Sequence, residues 1–279
     1  MAFWDKISTS GNVEDRRGSG IAIGGISSLV GLGIILLYSF LGGTDTNTLQ
    51  QILSTVENSQ VTRQDSSENI GINDGYKTFA SKIIGSSNDL WTNVFAKQSE
   101  VYKKPTLVLF RSATKSGCGI ATSAVGPHYC PIDQTIYLDE TFFDELTNKF
   151  GAKGGDVAQA YVIAHEVGHH VQNQLGIMDE VQSRYGNSNT MSVKLELQAD
   201  CYAGVWAYSV SQQGVFENEN EINEAIDAAE AVGDDRIQKE TTGRINPETW
   251  THGSAQDRAN WFNKGYKTGN PNSCNTFSS

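Results

Sequence analysis

Positive charge is scarce in this sequence. Lysine and arginine number 21 against 32 aspartates and glutamates, for a formal net charge of −11 at pH 7. Such a chain lacks the broad basic surface that nucleic-acid binding requires, and no nucleic-acid motif accompanies it. It also lacks an internal repeat, which excludes solenoids and propellers. Histidine is scarcer still, with five in 279 residues: His128, His165, His169, His170 and His252. Any site built on imidazole must draw on these five. Between Gly18 and Thr44 charged residues are missing altogether.

That uncharged run reads as a membrane anchor. Its core, Ile21 to Leu41, is long enough as a helix to span the roughly 30 Å hydrocarbon layer. Glycines at 20, 24, 25, 31 and 33 are common company in membrane helices, and those at 20, 24 and 25 offer a small-residue face that permits a homo-oligomer. The run is too long for an ordinary signal-peptide core, and Ser39-Phe40-Leu41-Gly42-Gly43 is a poor cleavage site. Lys6, Arg16 and Arg17 precede the run, and the next basic residue is Arg63. The positive-inside rule then expects a short cytoplasmic N-terminus, a single-pass helix and an extracytoplasmic remainder at the cell membrane. Cysteine usage agrees, because Cys118, Cys130, Cys201 and Cys274 all follow the run, an even number suited to an oxidising compartment. Three pairings are open. Cys118–Cys130, closing a local loop, together with Cys201–Cys274 is the favoured one, and free buried thiols are the alternative.

What the chain does contain is concentrated in one segment, Tyr161-Val162-Ile163-Ala164-His165-Glu166-Val167-Gly168-His169-His170-Val171-Gln172. Residues four apart share a helix face, so His165 and His169 can reach one metal ion, with Glu166 beside them to deprotonate a metal-held water. HExxH alone recurs by chance. Here Val162, Ile163, Val167 and Val171 surround the polar residues, and imidazoles buried on such a helix need partners, which a metal supplies. Gly168 weakens the helix by about 1 kcal/mol relative to alanine, which suggests the close approach of another element. His170, about 100° further round the helix, points away and reads as a packing or hydrogen-bonding residue.

A second segment, Leu195-Glu196-Leu197-Gln198-Ala199-Asp200, opens another apolar helical stretch. Two carboxylates at i and i+4 repel. The repulsion is relieved if Glu196 binds zinc while Asp200 accepts the free N–H of a zinc-bound histidine. The alternative is a half-exposed amphipathic helix with solvated acids. Alanines and Gly204 on this helix would let it lie close to the HExxH helix. A metzincin is excluded, because Gln172 and Leu175 occupy the positions that would need Gly and His. A Cys201 thiolate ligand would tend to fill the open position that hydrolysis needs.

HExxH with a downstream E-x-x-A-D resembles the glutamate-zincin metallopeptidases. More closely, the chain is similar to the bacterial "putative neutral zinc metallopeptidase" family. The likeness rests on Cys118–Ala121, Val125–Pro131, Ala160–Gln172, Leu195–Cys201 and Thr251–Ser254, with the Arg16-Arg17-Gly18 start. It implies Zn2+ bound by His165, His169 and Glu196, with Glu166 catalytic. Two neutral imidazoles and one carboxylate leave such a site net positive, which favours a water pKa near about 7. Glu166 would carry the proton from that water to the leaving amine. A tetrahedral oxyanion needs a further donor. His252, in the loop Trp250-Thr251-His252-Gly253-Ser254, is the candidate, with Arg258 and Tyr161 as alternatives. The resulting function is hydrolysis of peptide bonds in extracytoplasmic peptides or proteins. The alternative is a catalytically weak zinc-binding envelope protein that uses the fold as an interaction module.

The expected fold class is α+β, mostly helical: a zincin-like domain with a small β-sheet, preceded by one transmembrane helix. The expected boundaries are 1–18 for the N-terminus, 19–43 for the anchor, 44–75 for a juxtamembrane helix and linker, and 76–279 for the peptidase domain. Strand signal lies in Thr106–Phe110 and Gln134–Leu138, on either side of the cysteine loop. The second of these is a candidate edge strand for an extended substrate. Helical spacing runs through Phe79, Ile83, Ile84, Leu90, Trp91, Val94 and Phe95, with a break expected at Gly85-Ser86-Ser87-Asn88. Further helices are expected from Thr141 and over Glu219 to Val232, the latter stopping at Gly233.

Overall fold

The computed structural model describes residues 2–18 and 74–278. In chain order the elements are β1 (Val13–Asp15), α1 (Tyr76–Lys97), β2 (Thr106–Leu109), β3 (Ala113–Ser116), β4 (Gly119–Thr122), β5 (His128–Cys130), β6 (Thr135–Leu138), α2 (Phe142–Asn148), α3 (Asp156–Gln174), α4 (Ile177–Tyr185), α5 (Asn189–Ser211), α6 (Glu219–Ala231), α7 (Asp234–Thr242) and α8 (Ala255–Thr268). The class is α+β and mostly helical, as expected. Among the described residues no helix is long and apolar enough to cross a membrane. The expected anchor over 19–43 and almost all of the expected linker fall outside the described residues.

Both expected strands form, and they lie parallel as neighbours, with Leu107 opposite Ile136 and Leu109 opposite Leu138. The sheet order is β1-β2-β6-β5, so β6 is flanked on both sides and has no free edge. The expectation of an edge at Gln134–Leu138 is therefore corrected. The outer strands are β1 and β5, and β5 runs antiparallel to β6 and comes from the cysteine loop. Tyr129 of β5 ties this edge to α3, its hydroxyl meeting His170 Nδ1 at 3.0 Å and accepting from Asn173 Nδ2 at 2.9 Å. Both favoured disulfides are present, Cys118–Cys130 and Cys201–Cys274.

The domain begins earlier than residue 76. Residues 2–18 belong to the same body: β1 adds a parallel strand to β2 with Val13 opposite Leu107, and Ile7 is buried. Trp4 stacks on Trp206 at 6.4 Å and donates its indole N–H to Asp156 Oδ2 at 2.7 Å, on the first turn of α3. Arg17, itself buried, pairs with Asp15 at 2.8 Å, Asp74 at 2.7 Å and Glu140 at 3.1 Å. A guanidinium taken out of water needs this many acceptors.

The break expected in α1 does not occur. The hydroxyls of Ser86 and Ser87 each donate to the Ile83 carbonyl at 2.9 Å, inside the helix rather than as caps. Ser86 also accepts the Trp206 indole N–H at 2.9 Å. Gly85 lies against the backbone of Ser10, where a Cβ would come within 2.7 Å of the amide nitrogen. Tertiary contacts thus outweigh a locally weak helix sequence.

Three helices hold the site. α3 and α5 touch where Gly168 meets Ala199, a Cβ on the glycine falling 3.0 Å from the Ala199 Cα. Gly204 does not serve this contact, contrary to expectation. It faces α8, where a Cβ would lie 2.1 Å from the Phe262 carbonyl oxygen, and Gly265 of α8 answers it against Cys201.

Candidate active site

Burial of Val157, Val167 and Val171 fixes the rotation of α3 and turns His165 and His169 together toward α5. Their rings lie 4.8 Å apart and perpendicular. Glu196 reaches across from α5: its Oε2 is 3.1 Å from His165 Nε2 and its Oε1 is 3.3 Å from His169 Nε2. Ligand atoms of His165, His169 and Glu196 lie within 4.8 Å of one another. Two imidazole nitrogens and a carboxylate oxygen are a zinc donor set. A tetrahedral ion with bonds of about 2.0–2.1 Å would separate its ligands by about 3.4 Å, close to the two imidazole–carboxylate distances. The three residues fit zinc. Their side chains are 8%, 13% and 18% exposed, so the cluster is shielded yet opens on one side. Glu166, at 6% exposure, sits beside it on α3, and its charge helps raise the His169 pKa.

Asp200 lies behind His165. One turn along α5 from Glu196 and fully buried, it holds His165 Nδ1 at 2.8 Å. Arg258 clamps the same carboxylate from α8 through Nε at 2.8 Å and a terminal nitrogen at 3.0 Å, and Tyr161 donates its hydroxyl at 2.5 Å. Arg258 and Tyr161, the alternative oxyanion donors, are thus committed to Asp200. Burial alone would raise Asp200, but Arg258 and His165 outweigh it and bring it down to about 2. Burial pulls His165 down, yet Asp200 and Glu196 lift it to about 10. The pocket carries an excess of negative charge and attracts a cation, whether proton or metal.

His252 occupies the loop before α8. Gly253, at φ +92°, brings this loop onto Val193 and Leu197 of α5, on the turns that carry Glu196. Asp234, at the start of α7, organises the loop: its Oδ2 accepts the backbone N–H groups of Thr251, His252 and Gly253 at 2.8, 2.6 and 2.9 Å, and its Oδ1 lies 3.4 Å from His252 Nδ1. The His252 ring is half exposed, so burial counts for little, and the Asp234 hydrogen bond and the charge of Glu196 raise its pKa. Sequence reasoning did not find Asp234. Its only signal was an acid following Gly233, and the residues it binds lie 17 to 19 positions away.

The other histidines are structural. His170 is fully buried between the Tyr129 hydroxyl and the Lys103 carbonyl, and burial pushes it down to about 4. This agrees with its expected packing role. His128 stacks on Tyr137 at 5.5 Å and bonds the Gly126 carbonyl at 3.0 Å.

Comparison with known proteins agrees with this geometry. The family described as "Putative neutral zinc metallopeptidase" matches residues 2–277. An Escherichia coli K12 protein named "Uncharacterized protein YpfJ" is 43% identical over 286 residues, covering 98% of each chain. A Mycobacterium tuberculosis H37Rv protein, "Uncharacterized protein Rv2575", is 52% identical over 186 residues, 63% of this chain and 64% of the relative. No solved structure matches the chain. The family match takes in the N-terminal strand, the HExxH helix and the disulfide-bonded tail alike, and on that footing the chain belongs to the family described as "Putative neutral zinc metallopeptidase".

Proposed function

We propose that this chain is a zinc metallopeptidase that hydrolyses peptide bonds in extracytoplasmic peptides or proteins. The observation that carries the reading is the buried Glu166 carboxylate next to the His165–His169–Glu196 cluster. A module that merely binds metal has no use for that carboxylate. Zinc, when bound, supplies a Lewis acid that polarises a carbonyl and acidifies water. The chain's own residues do the rest. Glu166 takes the proton of the attacking water and delivers it to the leaving nitrogen. Asp200, fixed by Arg258 and Tyr161, accepts the His165 Nδ1–H and so turns Nε2 toward the metal position. His252, held by Asp234, donates to the oxyanion that develops on the substrate carbonyl. As an outer strand of the sheet, β5 is the element we assign to main-chain pairing with an extended peptide.

Two disulfides support an oxidising compartment for the catalytic body, and the uncharged run over 19–43 supports attachment to a membrane. The pairing of β1 with β2 supports an N-terminal segment that shares that compartment, in place of a single-pass span. This departs from the orientation that the positive-inside rule suggested.

The test is zinc content and peptide hydrolysis of the purified full chain beside Glu166→Gln. The expected result is about one zinc in each, with kcat lowered by at least about 10²-fold in the variant. Equal hydrolysis by both proteins would end the general-base assignment. Zinc without hydrolysis in either would favour a binding module.

A further inference from the structure

His165 and His169 are supported differently. His165 has a carboxylate partner, whereas the Nδ1 of His169 lies 2.9 Å from the amide oxygen of Gln172, one turn along the same helix. Gln172 is fully buried and Gln198 of α5 nearly so. Two buried primary amides are costly unless each is bonded in a definite sense. Here the sense is dictated by backbone carbonyls, which can only accept. The Cys274 carbonyl takes the Gln198 amide N–H at 3.1 Å, so the Gln198 oxygen must face Gln172. The Gln172 Nε2 donates to that oxygen at 3.1 Å and to the Leu195 carbonyl at 2.7 Å. Its own oxygen is thereby turned to His169. An acceptor at that place requires a proton on His169 Nδ1 and leaves a lone pair on Nε2, the nitrogen that faces Glu196 at 3.3 Å.

We infer that Gln172 is a positioning residue that sets the tautomer and ring orientation of His169 for metal binding. Its polarity is relayed by Gln198 from the disulfide-held tail at Cys274. The inference rests on the zinc reading of the cluster and adds to it a residue that touches neither metal nor substrate. The relay also gives the Cys201–Cys274 bridge a second role, because it holds a carbonyl whose position determines which way two buried amides point.

The experiment measures the zinc dissociation constant of the full chain by competition with a chromophoric chelator, for wild type, Gln172→Met and Gln172→Glu. The ¹⁵N shifts of the histidine rings are recorded on zinc-loaded wild type. Methionine fills the space without an acceptor, and zinc binding should weaken about 10–100-fold. Glutamate keeps an acceptor toward His169 but sets a second acceptor against the Leu195 carbonyl and the Gln198 oxygen, so it should recover only part of that loss. The ring signals should show His169 with Nδ1 protonated and Nε2 ligating. Unchanged affinity in Gln172→Met, or ligation of His169 through Nδ1, overturns the proposal. If a variant fails to fold, the nitrogen shifts of the wild type still decide between the two tautomers. Wild type that binds no zinc would instead overturn the metal reading beneath it.

Discussion

At the scale of single residues, the site is a set of imidazoles whose protons are placed by neighbours. His252 shows how far the neighbour matters. Although its ring is half exposed, the Asp234 hydrogen bond and the Glu196 charge raise its pKa. A group raised in this way holds its proton, and its donor capacity, below the elevated value and loses both as pH rises through it. Replacing the carboxylate should therefore move the loss to lower pH. Asp234→Asn is expected to shift the alkaline limb of the kcat/KM profile downward, and His252→Ala to lower kcat about 10²–10³-fold. If the limb stays in place in Asp234→Asn, His252 is not the titrating donor. The histidine was legible in the sequence because few histidines compete for the role. Its partner was not, since Asp234 meets residues 251–253 only through the turn that joins α7 to α8.

At the scale of elements, close helix contact brings the donor groups together. Gly204 and Gly265 let α5 and α8 approach until backbone nearly meets backbone, and that approach carries Arg258 to Asp200. A methyl group at 204 would sit 2.1 Å from a carbonyl oxygen that cannot rotate away, so the helices must part. Gly204→Ala should cost about 3 kcal/mol or more, read as a lowered denaturant midpoint. Gly168→Ala, whose Cβ would lie 3.0 Å from Ala199, should cost less. Equal stability of Gly204→Ala and the wild type would mean that this crossing is looser than described. Apolar composition and motif spacing located α3 and α5, which are buried all round at their centres, and helical spacing located α6, which buries one face. Spacing misjudged Gly85–Asn88, where the local preference is weak and the Trp206 indole and the Ser10 backbone settle the matter. It also missed β1 and β5, three residues each, since so short a strand carries no periodic signal.

At the scale of the whole molecule, the N-terminal segment is part of the same folded body as the candidate site. Strand pairing with β2, the Trp4–Asp156 bond and the Arg17 pairs with Asp74 and Glu140 bind residues 2–18 to the sheet, to α3 and to the start of α1. A segment so integrated favours the same-side placement proposed above. Epitopes placed at the two chain termini are expected on the same side of the membrane in intact cells, read by labelling before and after permeabilisation. Opposite sides would show that the β1–β2 pairing does not persist in the cell.

The sequence by itself determined which groups gather at the candidate site. HExxH on an apolar helix, Glu196 and Asp200 one turn apart, and an even number of cysteines each carry their meaning in spacing, because helix geometry turns four residues into one shared face. Only the tertiary structure decided what supports those groups. Arg258 went to Asp200 rather than to substrate, Asp234 to His252, Gln172 to His169, and the N-terminus into the sheet. Those choices join residues 3 to 152 positions apart. Most are made by burial and hydrogen-bond satisfaction between elements, and a linear pattern holds no record of them. Gln172 was within reach on its own helix, but its direction was set by carbonyls on α5 and the tail.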